Sequence, residues 1–190
     1  MLISPEYRAQ NEGLHADNAK FGGSGAQWAM YIERLVAEEG YASVLDYGAG
    51  KGGLAKALKR YGGIDVAEYD PAIAGKDAVP QAAELVICTD VLEHIEPANL
   101  DSVLMHLSSL TKRKLFFDVC IADALKTLPD GRNAHLIVQP PGWWREKLTK
   151  HFDIVHWVER PELNMFYGEA VPKGDGEAAL AAKKLRPKRR

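Results

Sequence analysis

The chain has 190 residues, 46% of them apolar and 26% charged, a composition that belongs to one soluble globular domain and excludes a disordered or fibrous chain. Its formal charge of −2 sums two unlike parts: six of the last eight residues are Lys or Arg, and the remainder holds 18 basic against 26 acidic residues, about −8. The longest stretches without Asp, Glu, Lys or Arg run twelve residues, Phe21 to Ile32 and Asn133 to Trp144, short of the roughly 20 apolar residues a membrane-spanning helix needs.

At this length about 70% of the extended-chain surface can be buried without staples, so the fold needs neither a disulfide nor a structural metal. Cys88 and Cys120 stand apart in apolar runs with no Cys-x-x-Cys pair, the pattern of reduced thiols. Met1-Leu2-Ile3-Ser4-Pro5-Glu6 has no basic segment followed by an apolar one, so no secretory leader is expected and the compartment read from these features is cytoplasmic.

In chain order, Ala26 to Glu39 places Met30, Ile32, Leu35 and Val36 near helical spacing with Gly40 as a stop. The first 40 residues are therefore read as a helical N-terminal segment. Ser43 to Tyr47 is a short strand that runs into Gly48, Gly50, Gly52 and Gly53, and good helix formers follow from Leu54 to Arg60. The next strand, Ile64 to Tyr69, ends at Asp70-Pro71. Further strands are Glu84 to Thr89 and Lys114 to Cys120, separated by a helix from Ala98 to Leu110. This alternation predicts an α/β domain with a mainly parallel sheet.

After Cys120 the pattern changes. Asp123 to Asn133 reads as a loop or short helix, His135 to Val138 is apolar, Gln139-Pro140-Pro141-Gly142 is a breaker, and Trp143 to Lys150 is helical. Phe152 to Val158 and Leu163 to Val171 are extended and joined by four residues, too few for a parallel crossover, so they should pair antiparallel. One domain over residues 1–172 and a flexible basic tail over 173–190 follow. That tail is the only candidate contact for nucleic acid, with a solvated end as the plainer reading.

The strand that breaks into glycines and restarts as a helix forms a ligand cradle, because glycine permits positive φ and close approach while the helix N-terminus presents free N–H groups. Asp70, 22 residues beyond Gly48 at the end of the next strand, is placed to accept ribose hydroxyls. Gly48, Gly50 and Gly53 also satisfy the dinucleotide pattern G-x-G-x-x-G, so two cofactors fit. Asp46 separates them. A pyrophosphate is repelled by a carboxylate beside its cradle, whereas S-adenosylmethionine carries an ammonium and a sulfonium and no phosphate, and such an attraction is worth on the order of 4 kcal/mol at 4 Å before desolvation. The phosphate-loop pattern G-x-x-x-x-G-K-[ST] is absent, which excludes a nucleotide triphosphatase of that type. A nicotinamide-dependent oxidoreductase and a non-catalytic S-adenosylmethionine-binding module stand as the alternatives.

Leu45-Asp46-Tyr47-Gly48-Ala49-Gly50, the acid Asp70 and Leu85-Val86-Ile87-Cys88-Thr89-Asp90-Val91-Leu92-Glu93-His94-Ile95 together resemble the class I S-adenosylmethionine-dependent methyltransferases of the small single-domain kind. The resemblance covers roughly Val44 to Val158. It implies a Rossmann-like three-layer sandwich with a seven-stranded sheet whose last two strands form an antiparallel pair. It also implies that Asp46, Tyr47, Gly48 and Gly50 hold the methionine portion and Asp70 the ribose, that Asp77 is a weaker candidate for the adenine amino group, and that Asp90 lies at the methionine end near the acceptor. Only thirteen residues separate Asp70 from Glu84, too few for a helix, a strand and another helix, so an abbreviated third strand is expected near Asp77-Ala78-Val79.

On the acceptor side, Asp90, His94 and His135 are the catalytic candidates, and His135 in Ala134-His135-Leu136 resembles a histidine that many family members place close to the methyl acceptor. Its plainer reading is an imidazole hydrogen-bonded to a carbonyl. Asp90, Glu93, His94 and His135 also resemble the Glu-x-x-Glu-His pattern with which small-RNA 3′-end methyltransferases and some ubiquinone-pathway O-methyltransferases hold a divalent ion, but the first residue is Asp and the string is common in metal-independent relatives. Without a metal is the reading adopted. Gln139-Pro140-Pro141-Gly142-Trp143 lacks the features of a DNA amino-methyltransferase signature. Phe21-Gly22-Gly23-Ser24-Gly25 forms either a lid over the cofactor or a turn. The acceptor is left open between a small molecule and a nucleic-acid end.

Overall fold

The computed structural model describes residues 1–17 and 24–174. Residues 175–190 of the basic tail and Phe21-Gly22-Gly23 of the expected lid lie outside the described residues. Among the described residues no helix is long and apolar enough to cross a membrane.

Four residues of β1 (Val44–Tyr47) are all buried, which is what a central parallel strand demands. Around it stand β2 (Ala67–Tyr69), β3 (Ala83–Cys88), β4 (Thr111–Cys120), β5 (Phe152–Arg160) and β6 (Met165–Pro172) in the order β2-β1-β3-β4-β6-β5. The first four pair parallel. β6 lies antiparallel between β4 and β5, so the expected antiparallel closing pair is present.

Side chains alternate across this sheet with period two. On one face Leu85, Ile87 and Phe116 meet α2 (Ala29–Glu39) through Ile32 and Leu35, and α3 (Gly53–Gly62) through Leu54 and Leu58. On the other, Leu45, Val86, Leu115 and Phe117 meet α4 (Leu100–Leu110) through Val103, Leu104 and Leu107, and α5 (Pro141–Leu148) through Trp144 and Leu148. Three layers result, the Rossmann-like arrangement.

One element departs from the sequence reading and another refines it. Among the described residues the sheet has six strands rather than seven, because Asp77-Ala78-Val79 forms none. The Asp77 carboxylate turns back to accept the Gly75 N–H at 3.2 Å, Val79 is exposed, and Pro80 has no N–H to give a ladder. Lys76 N–H donates to Ile73 O and Asp70 N–H to Lys76 O, so the interval is used up in turns. The refinement is α1 (Pro5–Asp17), which falls inside the N-terminal segment read as helical but ahead of the helix placed by periodicity. Ser4 caps it by accepting the Tyr7 N–H at 3.1 Å, with proline at its first position. With Ile3 just ahead of it, it packs through Tyr7 and Leu14 on Leu128, Ala134 and Leu136 of the irregular segment after β4. These two pieces of chain form a roof over the carboxyl ends of the strands.

Candidate active site

The carboxyl ends of β1, β2, β3 and β4 bring four acids to one edge of the sheet. Asp46 ends β1 but for one residue and is 4% exposed. Burial, with the neighbouring Glu68 adding to it and Lys76 opposing, pushes its pKa up to about 7. Lys76 donates from Nζ to Glu68 Oε1 and to Gly50 O, both at 2.8 Å, which ties the β2 end to the glycine loop. Asp70 receives the Gly50 N–H on one oxygen at 3.0 Å and the Ala72 N–H on the other at 2.9 Å.

The loop itself needs glycine at two places the sequence pattern picked out. Gly48 has φ +80°, and a Cβ there would stand 2.3 Å from Val91 Cγ2; Gly50 has φ +50°. Both are backbone shapes that a side chain disfavours. Gly48, Gly50 and Asp70 line a cavity of about 450 Å³, and Asp46, Gly48 and Ala49 line a smaller one of about 30 Å³ at the start of α3. Two buried carboxylates beside a glycine turn and a helix start suit a cationic amino-acid portion joined to a nucleoside. These residues fit S-adenosylmethionine. Asp46 and the loop would hold the methionine end, and Asp70 the ribose.

Beyond the loop the large cavity continues to Leu2, Ile3 and Tyr7 of the roof and to Asp90, His94, Cys120 and His135. Tyr7 donates its hydroxyl to His94 O at 2.7 Å. The His94 and His135 rings meet edge to face, 4.7 Å between centroids. His94 Nδ1 lies 2.8 Å from Ala134 O and His135 Nδ1 lies 2.6 Å from Ala122 O. A carbonyl can only accept, so each Nδ1 carries the proton and each Nε2 has the lone pair when the ring is neutral. Burial lowers the His94 pKa, against the opposing pull of Asp90. One ligand atom from each of Asp90, His94 and His135 falls within 4.8 Å of the others, as does one from each of Glu93, Cys120 and His135.

The other sequence candidates separate into groups. Glu93 is fully buried and accepts the Cys120 N–H at 2.6 Å; burial, reinforced by Asp90 and Asp118, raises its pKa well above the usual range. Tyr47 borders the cavity, but its ring packs on Tyr69 and its hydroxyl meets His106 Nδ1 at 3.0 Å. Asp77 is not among the residues lining the cavity, and its carboxylate pairs with Arg8 at 2.8 Å. Trp144 is fully buried in the core with Trp143 against it, and neither lines the cavity. Cys88 is buried while Cys120 is half-buried on the cavity wall, both as free thiols. Ser24 and Gly25 of the expected lid begin a 3₁₀ turn, Ser24–Trp28, whose first two residues line the small cavity.

The sequence reading missed Asp118 and Trp28, and it named Ser24 only as part of a lid or turn. Asp118 lies in β4, 3% exposed, accepting the Asp90 N–H at 2.6 Å and the Trp28 Nε1–H. Burial pushes its pKa up to about 7. An acid inside the apolar run Phe116-Phe117-Asp118-Val119 at the carboxyl end of a strand was the available signal, the same one that singled out Asp46.

Residues 23–163 match the family described as Methyltransferase domain. Among curated proteins none matches the sequence. Solved structures with the same fold include the 1,6-didemethyltoxoflavin-N1-methyltransferase of Burkholderia thailandensis, with bound 1,6-didemethyltoxoflavin and S-adenosylhomocysteine, at 20% identity and a TM-score of 0.63 over 90% of this chain and 92% of that one. The magnesium protoporphyrin IX methyltransferase of Synechocystis PCC 6803 with bound S-adenosylhomocysteine is similar at 19% identity and a TM-score of 0.57, over 89% and 95%.

Proposed function

The chain belongs to the methyltransferase-domain family of S-adenosylmethionine-dependent enzymes, and on that premise we propose that its acceptor is a small, largely apolar molecule methylated at an oxygen or nitrogen that loses a proton. The roofed cavity carries this reading. It runs without a break from the glycine loop to the two histidines, its volume is that of a small-molecule site, and its far wall is Leu2, Ile3, Tyr7, Ile95 and Ala134. A nucleic-acid strand would instead call for a cationic surface, and the body of this chain is acidic. The two similar structures act on small molecules by name.

S-adenosylmethionine supplies an electrophilic methyl group on a sulfonium. The protein holds the acceptor under α1 and excludes water there. His135 takes the acceptor's proton on Nε2, its Nδ1–H being fixed by Ala122 O. Replacing His135 by alanine is expected to slow transfer by about 10²-fold or more, the usual worth of a positioned base, with S-adenosylhomocysteine affinity held within about threefold. An unchanged rate would remove His135 from this role.

The acceptor class is tested by supplying methyl-labelled S-adenosylmethionine to small-molecule, RNA, DNA and protein fractions of the host. Label should enter the small-molecule fraction, and equally so after removal of the last eight residues. Label confined to RNA or DNA and lost with the tail would overturn the assignment. Because Asp90, His94 and His135 also converge closely enough for a divalent ion, the same assay is run after chelation. Undiminished transfer is expected; transfer that returns only with added magnesium or manganese would give the trio to a cation instead.

A further inference from the structure

Asp90 has φ +57°, a left-handed backbone that a residue with a Cβ adopts at a cost and keeps only where its surroundings impose it. Two contacts impose it here. Its N–H donates to Asp118 Oδ1 at 2.6 Å, and its carboxylate Oδ2 accepts from Ser24 Oγ at 2.6 Å. The second oxygen of Asp118 accepts the Trp28 Nε1–H. That indole is itself wedged, with ring centroids 4.9 Å from Phe116 and 4.8 Å from Tyr167. Ser24 and Trp28 are the two ends of one 3₁₀ turn, so a single short piece of chain is pinned to Asp90 directly and to Asp118 behind it.

The location gives this network a use. Ser24, Gly48 and Asp90 line both the small cavity at the glycine loop and the large cavity that reaches the histidines, so the Asp90 carboxylate stands at the junction of the two. We propose that Asp118 is a positioning residue which, through the Asp90 N–H and the Trp28 indole, sets the Asp90 carboxylate at the junction of the two cavities, where it would face the sulfonium of a bound cofactor. This rests on the cofactor site described above but not on the identity of the acceptor.

The chemistry of the carboxylate makes a selective test. Asp118 has one oxygen for each of two donors, and the isosteric amide has only one, so Asp118→Asn must lose either the Asp90 N–H or the indole N–H. Removing the indole donor as well, by Trp28→Phe, lets the single amide oxygen serve Asp90 while the ring still packs. Affinities for S-adenosylmethionine, which carries the sulfonium charge, and S-adenosylhomocysteine, which does not, are measured by calorimetry at pH 8. Asp118→Asn is expected to weaken S-adenosylmethionine about tenfold and S-adenosylhomocysteine less than threefold, and Trp28→Phe/Asp118→Asn to recover most of the loss. A purely structural Asp118 would weaken both ligands equally, with the double variant worse than the single, and that result or no change at all would overturn the proposal. Should Asp118→Asn not fold, Ser24→Ala reads the same network from its other end: it is expected to narrow the preference for the charged ligand at least threefold, and an unaltered preference would count against the proposal.

Discussion

Replacing Asp46 by asparagine is expected to cost the protein its cofactor and, at the same time, to make the ligand-free protein more stable above neutral pH. Both effects come from one buried carboxylate. Its folded pKa is about 7, against about 4 for an unfolded aspartate. Between those values the folded state binds more protons than the unfolded one, so stability contributed at this site is greatest below pH 4, falls as pH rises, and is gone above pH 7. Asparagine escapes that penalty, so its melting temperature should exceed the wild type's at pH 8 and approach it near pH 4.

The ammonium group of a bound cofactor would offset the penalty in the wild-type protein. Loss of that attraction, on the order of 4 kcal/mol before desolvation, should weaken S-adenosylhomocysteine at least about 100-fold. By the same argument wild-type affinity should climb as pH is raised from 6 to 7.5 and Asp46 ionises. Calorimetric titration and melting curves at two pH values check both halves. Wild-type affinity in Asp46→Asn, or a lower melting temperature at pH 8, would remove Asp46 from the site.

Gly48→Ala is expected to have the next largest effect. At φ +80° an added Cβ would stand 2.3 Å from Val91 Cγ2, so backbone strain of about 1–2 kcal/mol adds to overpacking of about 1–3 kcal/mol. For a domain of this size, the sum lowers the melting temperature by roughly 4–20 °C, and cofactor affinity falls because Gly48 and Val91 both wall the cavity. Adding Val91→Ala should recover the packing share and leave the backbone share. A melting temperature within 2 °C of wild type in the single variant would contradict the loop geometry, as would a double variant less stable than the single.

Much of this site is readable along the chain because its signals are local. The strand, glycines and helix from Val44 to Gly62 sit within nineteen residues, and Asp70 is placed by ending the next strand. The closing antiparallel pair follows from the length of one connection. Asp118 and Trp28 escape the same reading because their hydrogen bond spans 90 positions, and neither residue announces its partner. The helix α1 is hidden for another reason. It packs on the irregular segment around Leu128 and Ala134 rather than on the sheet, so it lacks a strong apolar stripe, and only Ser4-Pro5 marked its start. The third strand shows the opposite failure. A short β-prone stretch at Ala78-Val79 was available, but a strand also needs N–H groups free to form a ladder, and Asp77 turns back on Gly75 while Pro80 has no N–H to give.

The central claim, that the glycine loop with Asp46 and Asp70 is an S-adenosylmethionine site, is tested most directly by calorimetric titration of the purified chain with S-adenosylhomocysteine and, separately, with NAD and NADP. The account predicts one S-adenosylhomocysteine bound per chain, lost in Asp46→Asn, and no heat from either dinucleotide. Binding of NAD or NADP with none of S-adenosylhomocysteine would contradict it.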